Sequence, residues 1–145
     1  MLKFSLSMLV LGLLVGCIQP QVDEVEAAPK QIALTYDDAP LGDGPRYSGA
    51  DRTDALIAQL AAAETGPVAI FVTTKGFELD QGAARIEAYA AAGHRIANHS
   101  DQHMWSSRTA TEDYIADIDR AEAKLADFDN RRPWFRFPFL DEGGM

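Results

Sequence analysis

The chain has 145 residues, 47% of them hydrophobic and 24% charged, and a formal net charge of −9. That size and balance imply one globular domain. The acidity argues against a nucleic-acid surface, which needs clustered Lys and Arg, and reads more simply as solubility. A single cysteine rules out an intrachain disulfide.

A weakly basic start, Met1–Lys3, precedes the run of apolar and small residues Phe4–Gly16. The run is too short for a bilayer, whose hydrocarbon core of about 30 Å needs roughly 20 helical residues. It has the proportions of a signal-peptide core. It closes on Leu14-Val15-Gly16-Cys17, which resembles the lipobox of bacterial lipoproteins, where the cysteine thiol is acylated and becomes the mature N-terminus. Residues 1–17 are therefore expected to be a signal peptide with lipobox. Cys17 is its lipidation site, anchoring an exported protein to a membrane of the bacterial cell envelope. Cleavage near Ala27 or Ala28, giving a periplasmic or secreted protein, and a plain buried Cys17 are the alternatives. Residues 18–30, polar and acidic with a proline near each end, read as a flexible linker. The folded domain is expected over residues 31–145.

From Gln31 onward, apolar runs and amphipathic stretches alternate. Ile32–Tyr36 ends in two acids and suits a buried parallel strand. After a Gly/Pro/Asp-rich loop, Asp51 or Thr53 caps a helix with Leu56, Ile57, Leu60 and Ala61 on one face and Gly66 beyond its end. Val68–Val72 is a second strand. Asp80–Ala92 is a second helix, turning Ile86, Tyr89 and Ala90 inward and stopping at Gly93. Arg95–Asn98 is the third strand. Thr109 and Glu112 have the spacing of a capping box and open a helix to about Phe128, with Tyr114, Ile115, Ile118, Ala121 and Leu125 at helical spacing. Trp134–Phe139 is the fourth strand. Such alternation implies βα units around a parallel sheet, and in those folds chemistry sits at the carboxyl ends of the strands.

Residues able to bind metal or move protons stand at those ends. His99-Ser100-Asp101-Gln102-His103 follows the third strand, and two imidazoles four positions apart can supply two of the three protein ligands of a catalytic zinc. Alone, an HxxxH more often marks two surface histidines. Asp37-Asp38 ends the first strand, and Arg136 lies near Pro138 on the fourth. Singly these are a turn signal and a surface charge; their joint placement is what points to a site. His94, at the start of the third strand, reads as a polar strand-end residue.

Thr35-Tyr36-Asp37-Asp38-Ala39 is similar to the T-F-D-D-G motif of polysaccharide deacetylases with a NodB-homology domain. His99–His103 matches their H-[S/T]-x-x-H, and Arg136-Phe137-Pro138-Phe139 resembles their R-x-P-Y. Val68–Thr73 and His94–Asn98 also resemble the family's second and third strands, so the resemblance runs from about Gln31 to Gly144. It implies an α/β fold, a partial (β/α) barrel of the NodB type with about four βα units present. It implies that Asp38, His99 and His103 bind a divalent metal, zinc in the first place, with cobalt, iron or nickel also suited to such donors. It further implies Asp37 as general base, Arg136 as the residue that holds Asp37 in place, and the backbone N–H of Phe139 as an oxyanion donor. The reaction the resemblance implies is removal of N- or O-acetyl groups from an acetylated polysaccharide.

Ala39-Pro40 stands where the family usually has Gly, and Phe139 replaces the usual Tyr, which keeps the backbone donor and loses a hydroxyl. The family's later D-x-x-D-W segment and its L-x-L-H strand, whose histidine acts as general acid, have no counterpart here. The chain is therefore expected to be the N-terminal portion of a longer deacetylase, with little turnover by itself. The alternatives are a non-catalytic, lipid-anchored metal- or glycan-binding module, and an amidohydrolase acting on small cyclic amides.

Overall fold

The structure is a computed structural model that describes residues 30–143. The expected signal peptide, Cys17 and the linker up to residue 29 lie outside the described residues. Four strands, β1 (Thr35–Ala39), β2 (Ala69–Val72), β3 (Arg95–Asn98) and β4 (Arg131–Phe135), form one sheet in the order β1-β2-β3-β4. Every neighbouring pair is parallel. Helices α1 (Gly49–Ala62), α2 (Gly82–Ala91) and α3 (Thr111–Leu125) connect successive strands, so the expected βα alternation is present.

Period-two side-chain alternation divides the sheet into two faces. Ile70, Val72 and Ile96 turn toward the helices, where they join Leu60, Ile86, Tyr89 and Leu125 in the main core. Ile70, Val72, Ile86 and Ile96 are all completely buried, and each such side chain contributes about 1.5–3 kcal/mol by leaving water. Ala69, Phe71 and Ala97 form a smaller cluster on the opposite face. β2 is buried along its whole length, as a central parallel strand should be.

Several boundaries differ from the sequence expectation. β1 begins at Thr35 rather than Ile32, and Ile32 is 87% exposed. Pairing with Ala69 and Ile70 sets this register, so the two acids lie inside the strand rather than after it. β4 runs from Arg131 to Phe135 and ends just before Arg136. Ser48, not Asp51 or Thr53, caps α1: its hydroxyl accepts the Asp51 N–H, while Thr53 is buried and donates to the Gly49 carbonyl. The expected capping box is absent, since the N-cap of α3 is Ala110 and makes no side-chain hydrogen bond. α2 starts at Gly82 and α3 ends at Leu125. Ile115, expected inward, is 52% exposed; the buried stripe of α3 is Tyr114, Asp117, Ala121 and Leu125.

Candidate active site

Register brings the site together. Val72 pairs with Asn98, and Asn98 with Phe135, so β2, β3 and β4 end level with one another. His99 and Arg136 are the residues that immediately follow β3 and β4. The His99 N–H donates to the Val72 carbonyl at 2.9 Å and the Arg136 N–H to the Asn98 carbonyl at 3.1 Å, which carries the ladder one step past the strands. β1 reaches the same edge through an irregularity between Tyr36 and Ala39, with Asp38 in the left-handed region at φ 66°. In a regular strand Asp37 and Asp38 would point to opposite faces. A bulge re-aims side chains, and here both carboxylates are turned to the sheet edge with different partners.

Asp38 faces the histidines. Its Oδ1 lies 2.8 Å from His103 Nε2 and 3.5 Å from His99 Nε2, and one ligand atom from each of the three residues lies within 4.8 Å of the others. Donors about 2 Å from a tetrahedral ion sit roughly 3.3 Å apart, so small side-chain movements suffice to enclose a divalent cation. The tautomer of His99 also fits: its Nδ1 is 2.8 Å from the Arg136 carbonyl oxygen. A carbonyl only accepts, so Nδ1 carries a proton, which leaves Nε2, on the Asp38 side, as the nitrogen that could ligate a metal. The His99 side chain is 3% exposed, against 48% for Asp38. Burial holds the His103 ring below its ordinary pKa; Asp38 opposes this, and His99 adds to it. A neutral ring is the form that ligates metal.

Asp37 faces Arg136. Arg136 Nη1 donates to Asp37 Oδ1 at 2.7 Å and to Thr35 Oγ1 at 2.8 Å. The guanidinium carbon stands 4.1 Å from the centroid of the Phe71 ring, so an aromatic face supports the cation from below. Phe139 follows Pro138 with φ 59°. Its ring meets the His103 ring edge-on at 4.4 Å and stacks flat on Trp105 at 3.9 Å. A cleft of about 710 Å³ opens beside Asp38 and His103, with Pro40, Leu41 and Leu79 as apolar wall and Lys75 among its polar lining.

All six residues expected in a site, Asp37, Asp38, His99, His103, Arg136 and Phe139, therefore gather at one sheet edge. His94 lies at the other end of β3, buried, its Nδ1 accepting the Val68 N–H at 3.4 Å; burial lowers its pKa. Sequence reasoning missed Trp105, for which no local signal existed. It also missed Asp101 and Asp117, which are 3% and 0% exposed. Asp117 did leave a signal, as an acid on the buried stripe of an otherwise amphipathic helix.

The model of the polysaccharide deacetylase family matches residues 24–143. The chain belongs to that family. Solved structures agree in fold. A chitin deacetylase from the fungal pathogen Colletotrichum lindemuthianum has a TM-score of 0.59 at 24% identity, over 77% of this chain and 47% of that one. The peptidoglycan deacetylase PdaC from Bacillus subtilis has a TM-score of 0.56 at 22% identity, over 78% and 50%. A family 4 carbohydrate esterase from Streptomyces lividans, in complex with acetate, has 0.56 at 22% identity, over 82% and 55%. The chain thus spans about half the length of the solved structures it matches. A search of curated proteins gave no match.

Proposed function

We propose that the protein is a metal-dependent hydrolase that removes acetyl groups from a cell-envelope or extracellular polysaccharide. The observation that carries this reading is the division of labour between adjacent acids: Asp38 meets both histidine Nε2 atoms while Asp37 is held by Arg136. Asp38, His99 and His103 would hold a divalent cation, zinc in the first place. Bound there, such a cation supplies Lewis acidity to an acetyl carbonyl and acidifies water.

The chain's own residues do the rest. Asp37, with Oδ1 engaged by Arg136, takes the proton of the attacking water on Oδ2 as general base. Arg136 and Thr35 fix the direction of that carboxylate. The backbone N–H of Phe139 donates to the oxygen on which negative charge develops; Pro138, with no N–H, could not. The released products are acetate and a free amine or hydroxyl. The apolar wall of the cleft gives a sugar ring a surface beside the reacting bond. The Phe4–Cys17 pattern supports export with a lipid anchor on Cys17, which would put the domain next to envelope polymers.

Acetate release from acetylated chitooligosaccharides and acetylated xylan, assayed in a chain that also carries the family's later D-x-x-D-W and L-x-L-H motifs, tests the reading. The expected result is release that a chelator abolishes, that zinc or cobalt restores, and that Asp37→Asn abolishes with metal binding retained. Release unaffected by chelation or by Asp37→Asn would overturn it. Tight zinc binding with no release from any acetylated glycan would favour a metal- or glycan-binding module instead.

A further inference from the structure

The segment that joins the two histidines is strained. Ser100 and His103 both have left-handed backbone, at φ 69° and 56°, where a residue with a Cβ is strained and persists only when its surroundings over-determine it. Every backbone N–H from Ser100 to His103 is satisfied by a side chain. Ser100 donates to Asn98 Oδ1 at 2.7 Å, and His103 to Ser100 Oγ at 3.0 Å. The two between them go to one carboxylate: Asp101 N–H to Asp117 Oδ2 at 3.0 Å, and Gln102 N–H to the same oxygen at 3.1 Å and to Oδ1 at 3.2 Å. From the other side, the Thr74 and Lys75 N–H groups donate to the Ser100 and Asp101 carbonyls at 3.2 and 2.9 Å.

Asp117 belongs to α3, which contributes no residue to the metal cradle. It is fully buried, and a buried carboxylate needs compensation. Arg120 Nη2 gives it an ion pair at 2.6 Å. Asp101 then ties the same loop to the same helix, accepting from Lys124 Nζ at 2.7 Å, Arg120 Nε at 3.4 Å and, from beyond β2, Thr74 Oγ1 at 2.5 Å. One carboxylate that accepts from two consecutive peptides couples their orientations.

We propose that Asp117 is a positioning residue for the metal site: its buried carboxylate holds the Asp101 and Gln102 peptides so that His99 and His103 converge before any ion arrives. The proposal rests on the metal-site reading of those histidines and adds to it a remote residue that sets their separation.

The test uses the full chain, cobalt(II) as the probe, and Asp117→Asn, which keeps the shape but presents an NH2 group to at least one of the donors. Asp119→Asn, on the exposed face of the same helix, is the control. Cobalt affinity is expected to fall by about tenfold or more in Asp117→Asn, within the range for outer partners of metal ligands. Its visible d–d absorption should change as well, while the far-UV circular dichroism stays native and Asp119→Asn matches the unmodified protein. A folded Asp117→Asn with unaltered cobalt affinity and spectrum overturns the proposal and leaves the metal site standing. No cobalt binding by the unmodified protein removes the metal reading and the proposal together. Amide hydrogen exchange on the unmodified, metal-free protein provides a second check that does not depend on how the variant folds. The Asp101 and Gln102 N–H groups should exchange as slowly as those of β3, and exchange at the rate of an open loop would overturn the proposal.

Discussion

The two sides of the candidate site are built in opposite ways. On one side, His99 and His103 flank a loop whose every N–H is satisfied, backed by α3 and by the residues after β2. On the other, Asp37 and Asp38 sit on an irregular strand end with side chains 33% and 48% exposed, and Asp37 is held by Arg136 and no helix. The buried side presets a geometry. The open side keeps its carboxylates accessible to water, as the proposed role of Asp37 requires. The densely hydrogen-bonded side thus carries the two histidines, and the open side the two carboxylates.

The largest expected effect separates the two sides by readout. In a chain that also carries the family's later motifs, Asp37→Asn should lower acetate release by about 10²–10⁴-fold, the usual range for a general base, with zinc affinity nearly unchanged by isothermal titration. His103→Ala should abolish tight zinc binding and release together. If both variants lost metal equally, the division between Asp37 and the ligand set would be wrong.

Next in size is stability. Asp101→Ala strands the buried Thr74 hydroxyl, removes the partner of Lys124 and takes one of the two acids from Arg120, so urea denaturation should show a loss of about 2–3 kcal/mol. Asp37→Ala, in a partly exposed ion pair, should cost under about 1 kcal/mol. Equal losses would erase the contrast between a held loop and an open strand end.

The smallest effect probes how far the held side extends along α3. Tyr114 is buried, and its hydroxyl has no hydrogen-bond partner among the described residues. Burial, with the charges of Asp117 and Asp141, pushes its pKa up to about 12 from 10.0. Between those values the unfolded chain has lost the proton and the folded one retains it, so stability falls as pH rises through that window. Tyr114→Phe should lessen that alkaline fall, the rest coming from Tyr89, whose pKa burial also raises, while leaving the neutral-pH unfolding free energy unchanged or raised by up to about 1 kcal/mol. A clear loss at neutral pH would mean that the hydroxyl is part of the clamp.

Much of the site was legible because its chemistry is written in short local motifs. Asp37-Asp38, the HxxxH and Arg136 each follow a strand pattern, and parallel strands of equal length end at one edge. The limits of that legibility are equally specific. The first strand was placed three residues early because apolar residues alone marked it, whereas pairing with β2 takes Thr35–Ala39 and leaves Ile32 in solvent. Ser48 caps α1 because its hydroxyl reaches a free N–H of the first turn, whereas the Asp51 carboxylate accepts from Ser48 and the Thr53 hydroxyl donates to the Gly49 carbonyl. Ile115 fits a helical pattern on paper, yet the stripe facing the sheet carries Asp117 instead.

By itself the sequence determined the alternation of βα units and the identities of the candidate donors, because side-chain period and motif spacing are properties of neighbouring residues. Only the tertiary structure decided which acid meets which partner. That choice comes from an irregular register between β1 and β2, which turns Asp38 toward the histidines and Asp37 toward Arg136. It also decided what holds the histidines, since a buried carboxylate 16 residues beyond Asp101 becomes a neighbour only when α3 packs against the end of β3.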